Sequence, residues 1–261
     1  MHGLGNDFVF VSKSDLGPEL NLHNFILEIS QRNIGIGCDQ FIVINEKDDF
    51  IEMEVYNPDG SSAEACGNAT RCITKLMCEK RNISNLNVFV KGRKLECNYI
   101  NKIASVNMGA PKYNEAWMPD DFTLNSELSK FLSPEASVIA VDMGNPHLVI
   151  IDNSISENDM KILGPKFEKL NIFKNGVNVN FASVNDEIIN LKVWERGTGF
   201  TYACGSGACA SFAACNKLGF TPDNAIVRFE LGDLKMSFKN SEVIMSGAAE
   251  LVAEGVYYYG A

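Results

Sequence analysis

Alternation marks the strands of this chain. Ile51, Met53 and Val55 are apolar while Glu52 and Glu54 between them are charged, and Ile189, Leu191 and Val193 repeat the pattern with Asn190 and Lys192 between. A period of two puts one face of each segment on a core, so 51–56 and 188–194 read as half-buried strands. Shorter runs at 8–11, 41–44, 148–151 and 178–183 read the same way. A longer period appears elsewhere: 22–30 and 159–170 read as helices. So do 66–80 and 204–218, where Cys72 with Leu76, and Ala208 with Phe212 and Cys215, form apolar stripes.

The pattern occurs twice. A shift of 138 positions lays Cys66-Gly67 on Cys204-Gly205, strand 51–56 on 189–194, Asn57 on Glu195, and 106–110 on 244–248. At a shift of 139, Gly5-Asn6 falls on Gly144-Asn145. The order of elements agrees throughout, as expected of one unit used twice. Each half then holds a Gly-Asn turn, a strand, a helix, two strands, the Cys-Gly helix and three closing strands. The first half ends near 110, and 112–136 reads as a helical or loop insertion. The expected boundaries are 1–110 and 111–249, with 250–261 as a strand returning to the first half.

Composition narrows the function. With 23 basic and 33 acidic residues the formal charge is −10, which argues against a nucleic-acid or anionic-membrane partner. No apolar run has membrane-spanning length and no signal-like segment follows Met1, so a cytoplasmic location is expected. The eight cysteines include no Cys-x-x-Cys pair, and their spacing does not suit structural zinc. Reduced thiols are expected, and no metal. The glycine pairs Gly3/Gly5 and Gly35/Gly37 lack the third glycine of a dinucleotide loop, and there is neither a P-loop nor a nucleophile elbow. Spacing alone does not speak to a pyridoxal lysine.

Cys66 and Cys204 stand apart from the other six cysteines. Each precedes glycine at the first turn of a helix, and they are equivalent under the repeat. A helix start carries unpaired N–H groups and the positive end of the dipole, so it binds a carboxylate and lowers a thiol pKa. Two such thiols around one anion suit moving a proton off one face of a carbon and onto the other. His147, after a turn, is either structural or a base or orienter for one thiol. Glu195-Arg196 is either a surface pair or a carboxylate and guanidinium aimed at a substrate. Asn6, Gln40, Asn57, Asn68, Asn145 and Asn178 fall at turns or strand starts. Two of these pairs, Asn6/Asn145 and Gln40/Asn178, are repeat-equivalent and would line a polar pocket.

Five blocks carry a resemblance: MHGLGNDF (1–8), GCDQ (37–40), NPDGSSAEACGNATRC (57–72), MGNPH (143–147) and ERGTGFTYACGSGACA (195–210). In this order they resemble the signature blocks of the diaminopimelate epimerase family. The resemblance implies an α+β fold of two pseudo-symmetric domains, each a barrel-like antiparallel sheet around a central helix, with the active site in the cleft between them. It implies cofactor-independent interconversion of LL- and meso-diaminopimelate, for lysine and cell-wall synthesis. Residues matching Cys66 and Cys204 are there the acid and base, assisted at the positions of His147 and Glu195. Residues matching Asn6, Gln40, Asn57, Gly67, Asn68, Asn145, Asn178, Glu195, Arg196, Gly205 and Ser206 contact substrate, with Arg196 suited to a distal carboxylate. The expected partner is this small molecule, with a homodimer left open. The chain departs from the pattern at Ala69-Thr70, at Phe200 and at Cys38. A proline or hydroxyproline racemase on the same cysteine pair is one rival reading. A non-catalytic amino-acid-binding or thiol-redox module is another.

Overall fold

A computed structural model describes residues 1–63 and 66–260. Glu64 and Ala65 of the first Cys-Gly stretch, and Ala261 of the expected returning strand, lie outside the described residues. The chain forms two compact units, Met1–Asn107 with Ser246–Ala261, and Met108–Met245.

In the first unit β1 (His2–Gly3) and β2 (Asn6–Ser12) form a hairpin, followed by α1 (Leu22–Ile29), β3 (Gln40–Glu46) and β4 (Phe50–Tyr56). Then come α2 (Gly67–Arg81), β5 (Asn85–Val90), β6 (Arg93–Ile100) and β7 (Ile103–Asn107), and the strands lie side by side in chain order. Most neighbours are antiparallel, but β2 pairs β3 and β4 pairs β5 in parallel. The wholly antiparallel expectation needs that correction. Parallel neighbours require a crossover, and the two helices α1 and α2 supply them. The crossover α1 packs Phe25, Ile26 and Ile29 on Phe41 and Val43, while α2 packs against β1, β5, β6 and β7 and is buried from Gly67 to Thr74. The sheet curls around α2 because its inward residues, Met53, Val55, Val88, Leu95 and Val106 among them, are apolar and almost fully buried.

The second unit repeats this plan. After α3 (Asp121–Leu128) come β8 (Ser137–Asp142), β9 (Pro146–Ile151), α4 (Glu157–Glu168), β10 (Asn178–Asn185) and β11 (Ile188–Glu195). A short β12 (Gly199–Thr201) hairpins onto β11, and α5 (Gly205–Lys217), β13 (Asn224–Phe229), β14 (Gly232–Lys239) and β15 (Glu242–Gly247) follow. Here β9 with β10, and β11 with β13, are the parallel pairs. The registers match across the repeat: Phe8 lies opposite Gln40 as His147 lies opposite Asn178. Even the β12 hairpin has a vestige in the first unit, where the single bridge Tyr56–Ser62 matches the pair Trp194–Phe200. The insertion expected over 112–136 contributes α3, whose Leu124 and Leu128 join Phe167 and Phe181 in a second core outside the sheet.

The returning segment is not a strand. Glu250 makes one bridge to His2, with its N–H and C=O both paired, and no ladder continues. The reason is geometric: β1 is two residues long and offers almost no edge. The segment is instead held by side chains. Tyr257 and Tyr259 set their rings edge-on to Phe25 of α1, and the Tyr257 hydroxyl donates to Glu28 Oε1 at 2.7 Å. No helix among the described residues is long and apolar enough to cross a membrane.

Candidate functional site

Cys66 and Cys204 are the N-cap residues of α2 and α5, both in extended backbone. They lie where the first unpaired N–H groups of each helix point outward from its start. The six other cysteines, Cys38, Cys72, Cys78, Cys97, Cys209 and Cys215, are buried inside the units. Burial pushes the Cys72, Cys97 and Cys215 thiols up to about 12, which fits inert core residues.

In the first unit the structure brings Asn6, Cys66 and Asn68 together. Arg71, fully buried in α2, donates from Nη1 to Asn68 Oδ1 at 2.9 Å. That turns the Asn68 amide nitrogen to Asn6 Oδ1 at 3.2 Å, and the same oxygen faces Cys66 Sγ at 3.7 Å. Asn6 in turn donates to Asp39 Oδ2 at 3.0 Å, and Arg32 clamps Asp39 and, through both nitrogens, Asp7. A short distance along the sheet, Gln40 Nε2 reaches Asn57 Oδ1 at 3.5 Å, and Gln40 Oε1 is buried without a hydrogen-bond partner. Gly67 opens the helix. Asp39, Asp7 and Arg32 were not anticipated as part of this group; their signal is Asp39's place one residue before Gln40.

In the second unit Asn145, His147, Cys204, Ser206 and Glu195 converge. Ser206 Oγ lies 3.6 Å from Cys204 Sγ, and Gly207 N–H donates to the same sulfur at 3.4 Å. The sulfur therefore caps its own helix, as a serine oxygen would. Asn145 Nδ2 donates to Ser206 Oγ at 3.2 Å, and His147 Nε2 lies 3.0 Å from both Ser206 Oγ and Asn145 Oδ1. His147 thus reaches the thiol through Ser206 rather than directly. Asn178 belongs to the supporting layer: its Oδ1 accepts from Arg196 N–H at 2.9 Å and its amide donates to Pro146 O. Arg196 is exposed, with Nη1 on Asn175 O at 3.0 Å. Gly205, like Gly67, is the first helical residue.

The electrostatics correct one expectation. A helix start was expected to lower the thiol pKa, but Cys204 is raised well above the ordinary value. Burial is the largest cause and the Glu195 carboxylate the next, because both disfavour a second negative charge there. The donors Ser206 and Gly207 pull the other way and are outweighed. Glu195 also accepts a hydrogen bond from the Thr201 hydroxyl, which holds its carboxylate beside the thiol. His147 is fully buried, and burial depresses its pKa to about 4, so the ring is neutral at neutral pH.

Asn180 escaped the sequence reading. Its side chain is buried against His147. The available signal was period two: Asn178 and Asn180 share one face of β10, and a second polar residue on a core face needs a partner. Of the departures, Cys38 is a core thiol against Ser30, Phe200 packs edge-on to Trp194, and Thr70 caps back to Cys66 O at 2.9 Å. None of these side chains stands between a candidate acid or base and its partners.

A family profile described as diaminopimelate epimerase matches residues 1–114 and 139–252. The two matched stretches begin 138 residues apart (139 − 1), the shift that superposes the halves of the sequence. A diaminopimelate epimerase of Rickettsia akari (strain Hartford) is 49% identical over 260 residues, covering 99% of this chain and 96% of its own. That of Rickettsia massiliae (strain Mtu5) is 48% identical over 259 residues, with the same coverage of 99% and 96%. Among solved structures, a phenazine biosynthesis PhzC/PhzF protein from Clostridium difficile superposes with a TM-score of 0.68 at 15% identity, covering 97% of this chain and 93% of that one. A PhzF-family protein from Enterococcus faecalis gives 0.67 at 15% identity, again over 97% and 93%. At that identity the likeness concerns the fold alone.

Proposed function

The chain belongs to the diaminopimelate epimerase family, and we propose that it epimerises LL-diaminopimelate to the meso form using Cys66 and Cys204 as paired acid and base. The observation that carries the assignment of roles is the equivalence of the two thiols. Each is the N-cap of a buried helix at the same point of a repeated unit. One sulfur removes the α-proton and the other delivers a proton to the opposite face, and the roles exchange with the direction of reaction.

The α-proton is a very weak acid, so the charge that develops must be stabilised on the substrate carboxylate. The backbone N–H groups at Gly67-Asn68 and Gly205-Ser206 are oriented donors for it, each worth about 3 kcal/mol in comparable oxyanion sites. Cys204 needs help to ionise, and Glu195 supplies it by accepting the thiol proton. Once formed, the thiolate is held by Gly207 N–H and the Ser206 hydroxyl. Arg196 pairs with the distal carboxylate, which selects one stereocentre. Pairing at a second charged end favours diaminopimelate over proline-type substrates.

The test is incubation with LL-diaminopimelate in deuterated water without added cofactor. Label should enter the α position of the product, and Cys66→Ser or Cys204→Ser should each abolish turnover while a substrate analogue still binds. Normal turnover in either variant would end the two-thiol scheme, and preference for proline in an amino-acid panel would end the substrate assignment.

A further inference from the structure

We infer that Asn180 is a positioning residue that holds His147 as a neutral ring protonated on Nε2, so that the ring donates toward Ser206 and Asn145 and has no lone pair to take a proton from the Cys204 side. Asn180 Nδ2 lies 3.1 Å from His147 Nδ1, 3.0 Å from Leu148 O and 3.4 Å from Asn178 O. Both carbonyls only accept, so the amide nitrogen, not the oxygen, occupies this position. An amide nitrogen only donates, so Nδ1 must accept, and the proton of a neutral imidazole then sits on Nε2.

The consequence runs outward. Nε2–H points at Asn145 Oδ1 and Ser206 Oγ, each at 3.0 Å, and Asn145 Nδ2 donates to Ser206 Oγ at 3.2 Å. With donors approaching from His147 and Asn145, the Ser206 hydroxyl proton has neither of them as an acceptor. It turns to Cys204 Sγ at 3.6 Å. Asn180, His147, Ser206 and Cys204 form a one-way donor chain ending on the sulfur, and Glu195 is left as the acceptor for the thiol proton.

Packing alone does not explain an asparagine here. Asn180 Oδ1 is buried without a hydrogen-bond partner, over Gly207, where an added Cβ would approach it to 2.6 Å. The repeat-equivalent position in the first unit is the apolar Ile42, equally buried. An orphaned oxygen is tolerated for the sake of the nitrogen beside it. Asp142 and Arg196 act on the ring with opposite sign, and Glu195 acts on the thiol.

The effect on turnover rests on the epimerase reading; the ring's proton position does not. Histidine isotopically labelled at both ring nitrogens reports the tautomer by magnetic resonance, with His147 assigned by the signals lost in His147→Gln. The expected wild-type spectrum is Nε2-protonated from about pH 5.5 to about pH 8.5. Asn180→Asp exchanges the donor for an acceptor and should move the proton to Nδ1. Nε2 then accepts the Ser206 proton, and kcat for α-proton exchange should fall about tenfold with KM nearly unchanged. An Nδ1-protonated wild-type ring, or a His147 titration near the ordinary value, would overturn the inference. If that variant does not fold, the wild-type spectrum decides alone. The expected tautomer in a protein that exchanges no α-proton would uphold the inference and count against the epimerase reading.

Discussion

The two units share a plan but surround their N-cap thiols differently. Where the second unit has His147 and Asn180 on adjacent parallel strands, the first has Phe8 and Ile42, both buried. Where the second has Gly207 in the helix, the first has Ala69. The sulfurs differ accordingly. Cys204 receives donors, from Gly207 N–H and the Ser206 hydroxyl, beside a carboxylate. Cys66 faces an acceptor, Asn6 Oδ1, fixed by amide bonds leading back to Arg71 and outward to Asp39. Duplication thus supplied two equivalent helix starts, and divergence of the neighbouring side chains gave each thiol its own environment.

The largest effect expected from disturbing that difference is at Glu195. Glu195→Gln removes the charge that helps hold the Cys204 thiol up, so the thiol should titrate lower than in wild type. Turnover should nonetheless fall by about 10²–10⁴-fold, because the proton acceptor is gone. Ultraviolet thiolate absorbance in a Cys66→Ser background checks the first half, and the exchange rate of Glu195→Gln with Cys66 intact checks the second. A lower titration with unimpaired exchange would remove Glu195 from the mechanism.

The second effect is on acid stability and is confined to the second unit. His147 has a folded pKa of about 4 against about 6.5 when unfolded, so below about 6.5 the unfolded chain binds a proton that the folded one refuses. The stability this provides is present above about 6.5, is lost as pH falls toward 4, and amounts to about 3 kcal/mol. Hydrogen exchange should show β9 and β10 losing protection on acidification before β2 and β3, where Phe8 has no proton to take up. His147→Gln should flatten that acid limb in urea titrations.

Smaller again is the helix exchange. Gly207→Ala puts a Cβ 2.6 Å from Asn180 Oδ1 and 3.1 Å from Val193 Cγ2, and overpacking of this kind costs about 1–3 kcal/mol. Ala69→Gly, at the equivalent position, should cost about 1–2 kcal/mol through helix propensity and the loss of a fully buried methyl. Thermal midpoints rank the two, and equal losses would mean the helices are equally free. The smallest effect belongs to the exposed clamp: Asp39→Asn should change stability by no more than about 1 kcal/mol and raise KM by at most about fivefold, through a loosened Asn6.

Much of this was legible in the chain because it rests on local chemistry. The alternation at 51–56 and 189–194, the Cys-Gly helix starts and the repeat offset all follow from side-chain period and glycine placement, and each element falls within a few residues of its reading. The parallel pairs were missed although their signal was present: a helix between β2 and β3 is a crossover, not a hairpin connection. Residues 251–258, with two valines and two tyrosines, read as a strand but find no edge to extend, because pairing depends on a partner far away in sequence. The direction of the Cys204 shift was misjudged because a helix start speaks for ionisation, whereas burial and Glu195 speak against it, and burial is set by the whole sheet. Asn180 was passed over because an asparagine in a strand reads as part of a polar face until the ring behind it is seen.

The docking of Tyr257 and Tyr259 on α1 has a bearing on biosynthesis. The second unit is one unbroken stretch, 108–245, whereas the first is closed by residues that leave the ribosome only after that stretch has been made. Until then Phe25 lacks its two tyrosine neighbours and His2 its backbone partner at Glu250. The half translated earlier is therefore the later to be completed, and a released chain truncated after 245 should carry a protease-sensitive amino-terminal half and a resistant second one.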